Sequence, residues 1–292
     1  MAGRILGAMI EVRRLPDVET FLAEAGPFLA EREAEHNLLF GICSHLIRDP
    51  QAFGQAPYLA VGQDGDRIVG AAIRTAPYNV VLSEIDDLAA IEPLVRDVHS
   101  SVRTLPGVLG PAKAASAFVR VWRERGGGNA TLAMSSRIYR AARATPPSGV
   151  RGTIRPSADT DHDLMTRWLD AFTSEALPEG AVHDTSEREL ERRRSDPDGG
   201  WRVWEDAGRC VSLAGFGSRT PNGIRIGPVY TPPDFRGKGY ASALVGRMTA
   251  ELLDGRHRFC FLFTDLANPT SNGIYQRIGY EAVTDVDQYA FV

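Results

Sequence analysis

IGPVYTPPDFRGKGYASALV, residues 226–245, joins an apolar, strand-like run to a helix-like run through a turn with two prolines, two glycines and two cations. The N-terminus of a helix presents unpaired backbone N–H groups and a partial positive charge, so it favours anions. Gly237 and Gly239 have no side chains to block an anion, while Arg236 and Lys238 add positive charge. The turn therefore predicts a phosphate-like ligand at the start of a helix.

Three phosphate-binding patterns compete for this turn. A Walker A loop is excluded because Pro232 replaces its first glycine and Gly239 replaces its Ser/Thr. The dinucleotide pattern G-x-G-x-x-G is met at Gly237 and Gly239, but Ser242 takes the third place and too little chain follows for a doubly wound domain. The third pattern, [RQ]-x-x-G-x-[GA], is satisfied in full by residues 236–241.

The residues on either side of the turn predict an α/β domain. Residues 161–176 carry apolar side chains at helical spacing, and the strand, helix and strand around the turn predict a right-handed parallel crossover. The predicted elements are helices at 161–176 and from 185, strands at 201–205, 209–217 and 222–230, a helix at 239–253, a strand at 258–265, a helix at 271–280, and two final strands, EAVTD and QYAFV.

Length and composition predict two domains. The chain has 292 residues, of which 43% are hydrophobic and 24% are charged. The clearest seam, ARATPPSGVRG at 142–152, is rich in proline and glycine, so the predicted domains are residues 1–145 and 150–292. A faint repeat supports this division, because residues 58–75 and 201–220 both predict a hairpin with a glycine in its turn.

Downstream of the turn, the sequence NPTSNGIYQRIGY occupies residues 268–280. With this second motif, residues 150–292 resemble a GCN5-related N-acetyltransferase (GNAT) domain, and the resemblance is sharpest over 226–280. The resemblance implies an α/β fold of the mixed type, with a central, mostly antiparallel sheet flanked by helices. The repeat extends this expectation to two tandem GNAT-like folds.

The resemblance also implies acetyl-CoA as co-substrate, and no metal. Strands 226–231 and 259–264 are expected to splay apart and to hold the pantetheine arm in a V-shaped slot, next to the backbone of Val229, Tyr230 and Thr231. The residues expected to wrap the pyrophosphate are Arg236, Gly237, Lys238, Gly239, Tyr240 and Ala241.

Four residues are implied to act on the thioester and its arm. Asn268 is expected to contact the pantetheine amides, with Asn272 as a second polar group nearby. The Tyr275 hydroxyl is expected to protonate the departing thiolate, and the backbone N–H of Val229 to stabilise the charge that develops on the thioester oxygen.

The base that takes the proton of the amine is left open. Glu175 is included in the predicted catalytic set because it ends the first helix of the domain, next to a substrate-side loop. His183, which can titrate near neutral pH, Asp184 and Glu205 are alternatives, and a water relay without a single base is another.

The first half of the chain reads as a degenerate copy of the same fold. Where the second half has its glycine turn, the first half has Glu84, Asp86 and Asp87 and no glycine. Carboxylates repel a pyrophosphate and themselves satisfy the N–H groups of a helix start. Residues 1–145 are therefore predicted to bind no coenzyme A and to serve as a scaffold.

The predicted function is transfer of an acetyl group from acetyl-CoA to the amine of a small molecule, by direct attack in a ternary complex. The alternatives are a non-catalytic acyl-CoA sensor or interaction module, and an acyltransferase that uses another acyl-CoA or a peptide or hydroxyl acceptor. Catalysis is favoured because Tyr275, Asn268 and Asn272 are more than a pure binder requires. The acceptor is expected to be set by residues 172–200, which carry no recognisable signature.

Charge, cysteines and hydropathy limit the possible partners and the cellular location of the protein. A net charge of -4 provides no basic field for nucleic acid. Cys43, Cys210 and Cys260 are scattered, which argues against disulfides and a zinc site and predicts reduced residues in the cytoplasm. The apolar run before Glu11 is too short for a signal peptide, and no run long enough to span a membrane is present. A monomer or homodimer is expected.

Overall fold

The computed structural model describes residues 10–178 and 180–292, which fall into two compact units. The first unit contains the described residues through Leu39, then His45–Ser135 and Asp285–Val292. The second unit contains Phe40–Ser44 and Ser136–Thr284. The predicted absence of a signal peptide concerns residues 1–9, which lie outside the described part of the chain.

The strands of the first unit follow one another in the order β1-β2-β3-β4-β5, and the C-terminal part of β12 pairs with β5. Neighbouring strands are antiparallel except β4 and β5, which are parallel. The elements are β1 (Glu11–Arg14), α1 (Val18–Glu31), α2 (Asn37–Arg48), β2 (Tyr58–Asp64), β3 (Arg67–Arg74), β4 (Val80–Leu82), α3 (Ile91–Ser101), β5 (Gly107–Pro111), α4 (Ala112–Glu124), the start of β6 (Ala130–Ala141) and the end of β12 (Glu281–Phe291).

The second unit repeats this plan in the order β7-β8-β9-β10-β11, followed by the C-terminal part of β6. Its one parallel pair is β10 with β11, at the place where the first unit pairs β4 with β5. The elements are β7 (Thr153–Pro156), α5 (His162–Ala176), α6 (Ser186–Arg194), β8 (Gly200–Asp206), β9 (Arg209–Gly217), β10 (Gly223–Tyr230), α7 (Tyr240–Asp254), β11 (Phe259–Asp265) and α8 (Pro269–Ile278). This shared order confirms the α/β class and the tandem arrangement.

The faint repeat in the sequence corresponds to equivalent hairpins. Residues 58–75 form β2 and β3, and residues 201–220 contain β8 and β9. Gly65 and Gly208, the glycines of the two hairpin turns, adopt φ angles of 60° and 75°. A left-handed turn residue at the same place explains why both hairpins carry glycine there.

The end of the chain differs from the prediction of two short strands. One strand, β12, runs from Glu281 to Phe291, and its last residues pair with β5 of the first unit. The ring of Phe291 stacks on Trp122 of α4 with centroids 4.9 Å apart. The continuous part of the first unit therefore ends inside β6, at Ser135. The C-terminal residues Asp285–Val292 also belong to this unit and add a strand to it. The boundaries 1–145 and 150–292 remain a prediction about sequence domains.

Two apolar clusters cover the two faces of the sheet in the second unit. One cluster packs α7 and α8 against the sheet and includes Ile224, Ile226 and Leu244. The other packs α5 and α6 against the opposite face and includes Trp168, Leu190 and Tyr230. The helices that follow β7 and the helices that flank β11 therefore lie on opposite faces of one sheet.

The proline-rich segment 142–152 is packed against the second unit rather than being a free linker. The backbone N–H of Thr145 donates to the Ile278 carbonyl at 2.7 Å, and the Trp204 indole donates to the Arg151 carbonyl at 2.8 Å. Pro146 lies so close to Gly246 of α7 that a Cβ atom there would come within 2.9 Å of the proline Cα. The segment therefore forms part of the core boundary around α7.

The cysteines, the possible metal ligands and the length of the helices bear on the remaining sequence expectations. Cys43 and Cys260 are buried and Cys210 is partly buried, and all three are free thiols. Within residues 10–178 and 180–292, no group of His, Cys, Asp and Glu side chains is arranged to hold a metal ion. The described helices include none that is both long and apolar enough to cross a membrane.

The packing of Pro146 predicts that Gly246→Ala destabilises the protein. The new methyl group meets backbone atoms that cannot move aside, and overpacking of this kind costs about 1–3 kcal/mol. Gly273→Ala is the matched helical control, since its Cβ meets only the flexible end of Arg277, at 3.2 Å. We expect it to be neutral or to stabilise by about 0.5–1 kcal/mol. Urea denaturation measures both, and equal effects would contradict the packing of this segment.

Candidate active site

The centre of the candidate site is the place where β10 and β11 part. Their parallel ladder has three pairs, of which the last joins Arg225 and Phe261. Both strands continue beyond it, to Tyr230 and Asp265, with their outer edges paired to β9 and β6. Only the two facing edges are open, and unpaired backbone groups on such edges can bond to an extended ligand. The predicted splay is therefore confirmed.

A bulge in β10 accompanies the opening. Ile226 pairs with Phe216 and Val229 pairs with Ala214, so Gly227 and Pro228 together oppose a single residue of β9. Ile224 and Ile226 face α7, whereas Tyr230 faces α5 and α6. In a regular strand these even-numbered residues would share a face, so the bulge has reversed the alternation. Because Pro228 has no N–H, it can occupy this point without losing a ladder bond.

The turn before α7 has the geometry expected of an anion site. Gly237 and Gly239 adopt φ angles of 77° and 81°, and residues 236–239 are all exposed. Gly239 is the N-cap of α7 and provides no side chain to satisfy the first N–H groups of the helix. Tyr240 is buried, and its hydroxyl donates to Asp206 at 2.6 Å. Tyr240 can therefore contact a ligand at this turn only through its backbone.

The arginine of the turn is held by a network at the end of α5. Arg236 donates to the Glu175 carboxylate at 2.5 Å and to the Thr231 carbonyl at 2.8 Å. The Tyr230 hydroxyl donates to the same carboxylate at 2.8 Å. Arg236 is the main cause that keeps the pKa of Glu175 below its usual range. A carboxylate paired in this way is a weak base, so the geometry suits Glu175 for positioning Arg236. Lys238 donates to the Asp234 carbonyl at 3.1 Å.

The two asparagines lie together at the start of α8. Asn268 is its N-cap, and the Asn268 side chain accepts from the Ser271 N–H at 3.0 Å. Asn272 donates to the carbonyls of Asp265 and Asn268 and accepts from the Tyr139 hydroxyl at 3.0 Å. Capping thus accounts for Asn268, and protein partners occupy the amide of Asn272. Tyr139, fully buried on β6, was absent from the predicted site.

Tyr275 lies in the core on the α7 side of the sheet. Its side chain is 9% exposed and meets the Tyr280 ring edge-on, with centroids 6.0 Å apart. Burial raises the pKa of Tyr275 to about 12. The Tyr280 hydroxyl differs in having a partner, because it shares a hydrogen bond of 2.8 Å with Thr249. Tyr275 is therefore fully protonated at neutral pH.

A cavity of about 370 Å³ opens on the opposite face, between α5, α6 and the bulge. Its wall includes Ile226, Gly227 and Pro228, so it reaches the place where the two strands part. Of the four candidate bases, His183 and Asp184 line this cavity. Glu175 is paired with Arg236, and Glu205 is paired with Arg155 at 2.7 Å.

Two arginines that sequence reasoning missed also line this cavity, Arg193 of α6 and Arg225 of β10. Neither belongs to a motif. The one available signal was a cation inside an otherwise apolar strand, IRIGPVY, which marks a charge that must be buried or must meet a ligand.

The corresponding segment of the first unit, after β4, is arranged differently. Asp87 caps the short turn before α3 by accepting from the Ala89 N–H at 3.0 Å, and Asp86 pairs with Arg32 at 2.7 Å. The N–H of Glu84 donates to His36 at 2.9 Å. Side chains of the protein thus occupy the place that the glycine turn leaves open in the second unit.

Comparisons with known proteins agree with this geometry. The model of the GNAT acetyltransferase family matches residues 162–280. No curated protein sequence matched the chain. An X-ray structure of a Drosophila protein superposes with a TM-score of 0.70 at 14% identity, covering 98% of this chain and 99% of the other.

Two bacterial structures match almost the whole length of the chain. A GCN5-related N-acetyltransferase from Sphaerobacter thermophilus has a TM-score of 0.55 at 17% identity and covers 96% of this chain and 95% of its own. A GNAT-family acetyltransferase from Colwellia psychrerythraea has a TM-score of 0.53 at 10% identity, with coverages of 97% and 100%. At these identities the matches show the fold alone. The chain therefore carries a domain of the GNAT acetyltransferase family at residues 162–280, within a tandem GNAT-like fold.

Proposed function

We propose that the second unit transfers an acetyl group from acetyl-CoA to the amine of a small molecule, by direct attack in a ternary complex. The observation that carries the proposal is the coincidence of two features in one unit. An exposed glycine turn with two cations begins α7, and β10 and β11 open an unpaired slot just before it. The family of residues 162–280 implies transfer of an acyl group from an acyl-CoA.

The pyrophosphate is proposed to lie on the turn from Arg236 to Ala241. Gly237 has no atom within 4 Å of the place where its Cβ would stand, which leaves room for phosphate oxygens beside the backbone. Arg236 and Glu175 are 48% and 44% exposed, and an exposed ion pair of this kind contributes only about 0–1 kcal/mol. A doubly charged ligand can therefore take Arg236 from Glu175 at little cost.

The pantetheine arm is proposed to enter the slot beside Val229, Tyr230 and Thr231. The Thr231 carbonyl already accepts from Arg236, and the Tyr230 carbonyl accepts from the Ser212 hydroxyl at 3.1 Å. The arm is therefore expected to bond mainly to groups around Val229, on the open edge. Asn268 keeps an amide N–H₂ for the arm while its oxygen caps α8.

The reaction proposed at the end of the arm is attack of the amine nitrogen on the thioester carbon. The carbonyl oxygen gains charge, which the Val229 N–H stabilises. The C–S bond then breaks, the nitrogen loses a proton, and the sulfur gains one, so that the products are the amide and free coenzyme A. The cavity between α5, α6 and the bulge is proposed to hold the amine and is called the acceptor cavity. His183 and Asp184 line it and are the proposed proton acceptors on that side, directly or through water.

Tyr275 is proposed to donate to the departing sulfur. With its pKa raised to about 12, it holds its proton firmly, and transfer to a thiolate of ordinary pKa, about 8.5, is uphill by roughly 5 kcal/mol. A thiolate in the same apolar surroundings has a raised pKa as well, which narrows this difference. Tyr275 therefore acts first through a hydrogen bond that strengthens as negative charge grows on the sulfur.

A substitution at Gly237 tests the role of the turn. Gly237→Asp places a carboxylate beside the proposed pyrophosphate, so we expect stabilisation by acetyl-CoA to disappear. For the wild type, a ligand at a hundred times its Kd adds about 2.7 kcal/mol. Gly208→Asp is the matched control, since its φ of 75° is close to the 77° of Gly237 and both positions are open. Thermal unfolding with and without acetyl-CoA measures the effect.

Equal stabilisation of wild type, Gly237→Asp and Gly208→Asp would contradict the proposed turn. Calorimetric titration adds a count of sites. The acids after β4 predict one coenzyme A per chain, and binding of two would contradict the assignment of the first unit as a scaffold.

A substitution at Tyr275 tests its proposed contact with the leaving sulfur. We expect Tyr275→Phe to lower kcat by about 100-fold while acetyl-CoA still stabilises the protein, because only the interaction with the leaving sulfur is lost. Tyr280→Phe removes a neighbouring buried hydroxyl that bonds to Thr249, and should cost about 1 kcal/mol of stability without lowering kcat. Release of free thiol across a panel of amines measures kcat. An unchanged rate for Tyr275→Phe would remove it from the mechanism, whereas tight binding without any turnover would identify a sensor.

A further inference from the structure

Arg225 is a partly buried cation in the wall of the cavity between α5, α6 and the bulge. Its guanidinium donates to the Ser218 hydroxyl at 3.3 Å and lies over the Phe263 ring at 5.9 Å from the centroid. Among the described residues, no carboxylate lies within ion-pair distance of it. Because a guanidinium has five N–H donors, one long bond to a hydroxyl leaves most of its capacity unused.

The surroundings of Arg225 increase its need for an anion. Burial, followed by repulsion from Arg193 and Arg192, lowers the pKa of Arg225 to about 9, against the weaker attraction of Glu189. An isolated charge removed from water is costly unless it is paired. The position therefore favours any ligand that brings a negative charge next to it.

The nearby carboxylates are already engaged. Glu189 accepts from Arg193 at 2.7 Å and also pairs with Arg192, while Asp184 lies 4.0 Å from Arg192. Arg193 is 4% exposed, and its Nη1 is buried without a hydrogen-bond partner. Two arginines thus share the carboxylate of Glu189, and Arg225 has no carboxylate partner within residues 10–178 and 180–292.

The apolar part of the cavity limits what else can enter. Leu169 and Phe172 of α5 and Phe263 of β11 form its walls, and the bulge at Gly227 and Pro228 forms the side next to the slot. A ligand in this space meets these apolar walls and also polar side chains, among them that of Arg225. Arg225 precedes Gly227 by two residues on β10, so a group held by Arg225 lies close to the bulge, where the thioester is proposed to stand.

We propose that the acceptor is an amine that also carries a carboxylate, and that Arg225 binds this carboxylate. The planar guanidinium can grip a carboxylate with two parallel hydrogen bonds, which fixes the acceptor by its charged end. The amine is then directed towards the bulge and the Val229 N–H. This inference rests on the proposed acetyl transfer, whose acceptor class it names.

The test compares amino carboxylates with their uncharged amides as acceptors for acetyl-CoA. The series runs from glycine through β-alanine to longer ω-amino acids, each paired with its amide, and thiol release is the readout. We expect kcat/KM to be about 10- to 100-fold higher for the favoured carboxylate than for its amide, as for a charged hydrogen-bonded pair. Arg225→Gln should abolish this ratio by raising the KM for the carboxylate.

Arg202→Gln is the control. Arg202 also lies over a phenylalanine ring, Phe216, at 5.0 Å, but it pairs with Glu251 and does not line the cavity. It should retain the preference for carboxylates.

A second readout does not depend on turnover. Removal of a partly buried cation that has no carboxylate partner among the described residues should raise the Tm of the ligand-free Arg225→Gln protein by about 2–4 °C. With coenzyme A bound, the favoured amino carboxylate should stabilise the wild type and not Arg225→Gln. Preference unchanged in Arg225→Gln, or equal use of carboxylates and amides, overturns the inference and leaves acetyl transfer intact. Absence of turnover with every acceptor contradicts acetyl transfer, and the stabilisation by carboxylates then still decides the role of Arg225.

Discussion

The bulge at Gly227 and Pro228 is the constraint on which the rest of the candidate site depends. It ends the pairing of β10 with β11 after Arg225 and Phe261, and it reverses the alternation of side chains along β10. A strand that kept its alternation would turn Tyr230 towards α7. Instead the Tyr230 hydroxyl reaches Glu175 on α5, which in turn holds Arg236 in front of α7. One local irregularity therefore shapes the slot and also fixes the cation of the turn.

The two units show how one topology supports different local chemistry. Each has its single parallel pair at the same position, followed by a turn and a helix. In the second unit the turn has two left-handed glycines and no capping side chain, whereas in the first unit Asp87 caps the turn. Since a fold does not determine function, the difference lies in which groups satisfy the helix N-terminus. A carboxylate of the chain does so in one unit, and a ligand is proposed to do so in the other.

Most of the fold could be predicted from the sequence because its signals are local. Apolar periodicity, the glycines of the hairpins and the turn before α7 placed the elements from Arg209 to Asp265 within one or two residues. The errors concern distant partners. A strand pattern in 281–291 does not specify that β5 is its neighbour, and the composition of 142–152 does not reveal that Pro146 packs on Gly246. Strand pairing and packing of this kind depend on residues far away in the chain.

The site follows the same rule, as two of its arginines illustrate. Arg236 belongs to a motif, and sequence alone pointed to its ligand, but only the structure shows that Glu175 holds it in the absence of that ligand. Arg225 belongs to no motif, and its significance arises from a missing neighbour, which no sequence pattern records. The first arginine can exchange one anion for another, since its resting pair is exposed and weak. The second pairs with no carboxylate in the part of the chain that the structure describes, so a ligand that supplies one removes an existing electrostatic penalty. The two arginines thus suit the two proposed substrates, a coenzyme that competes with a protein carboxylate and an acceptor whose carboxylate has no competitor.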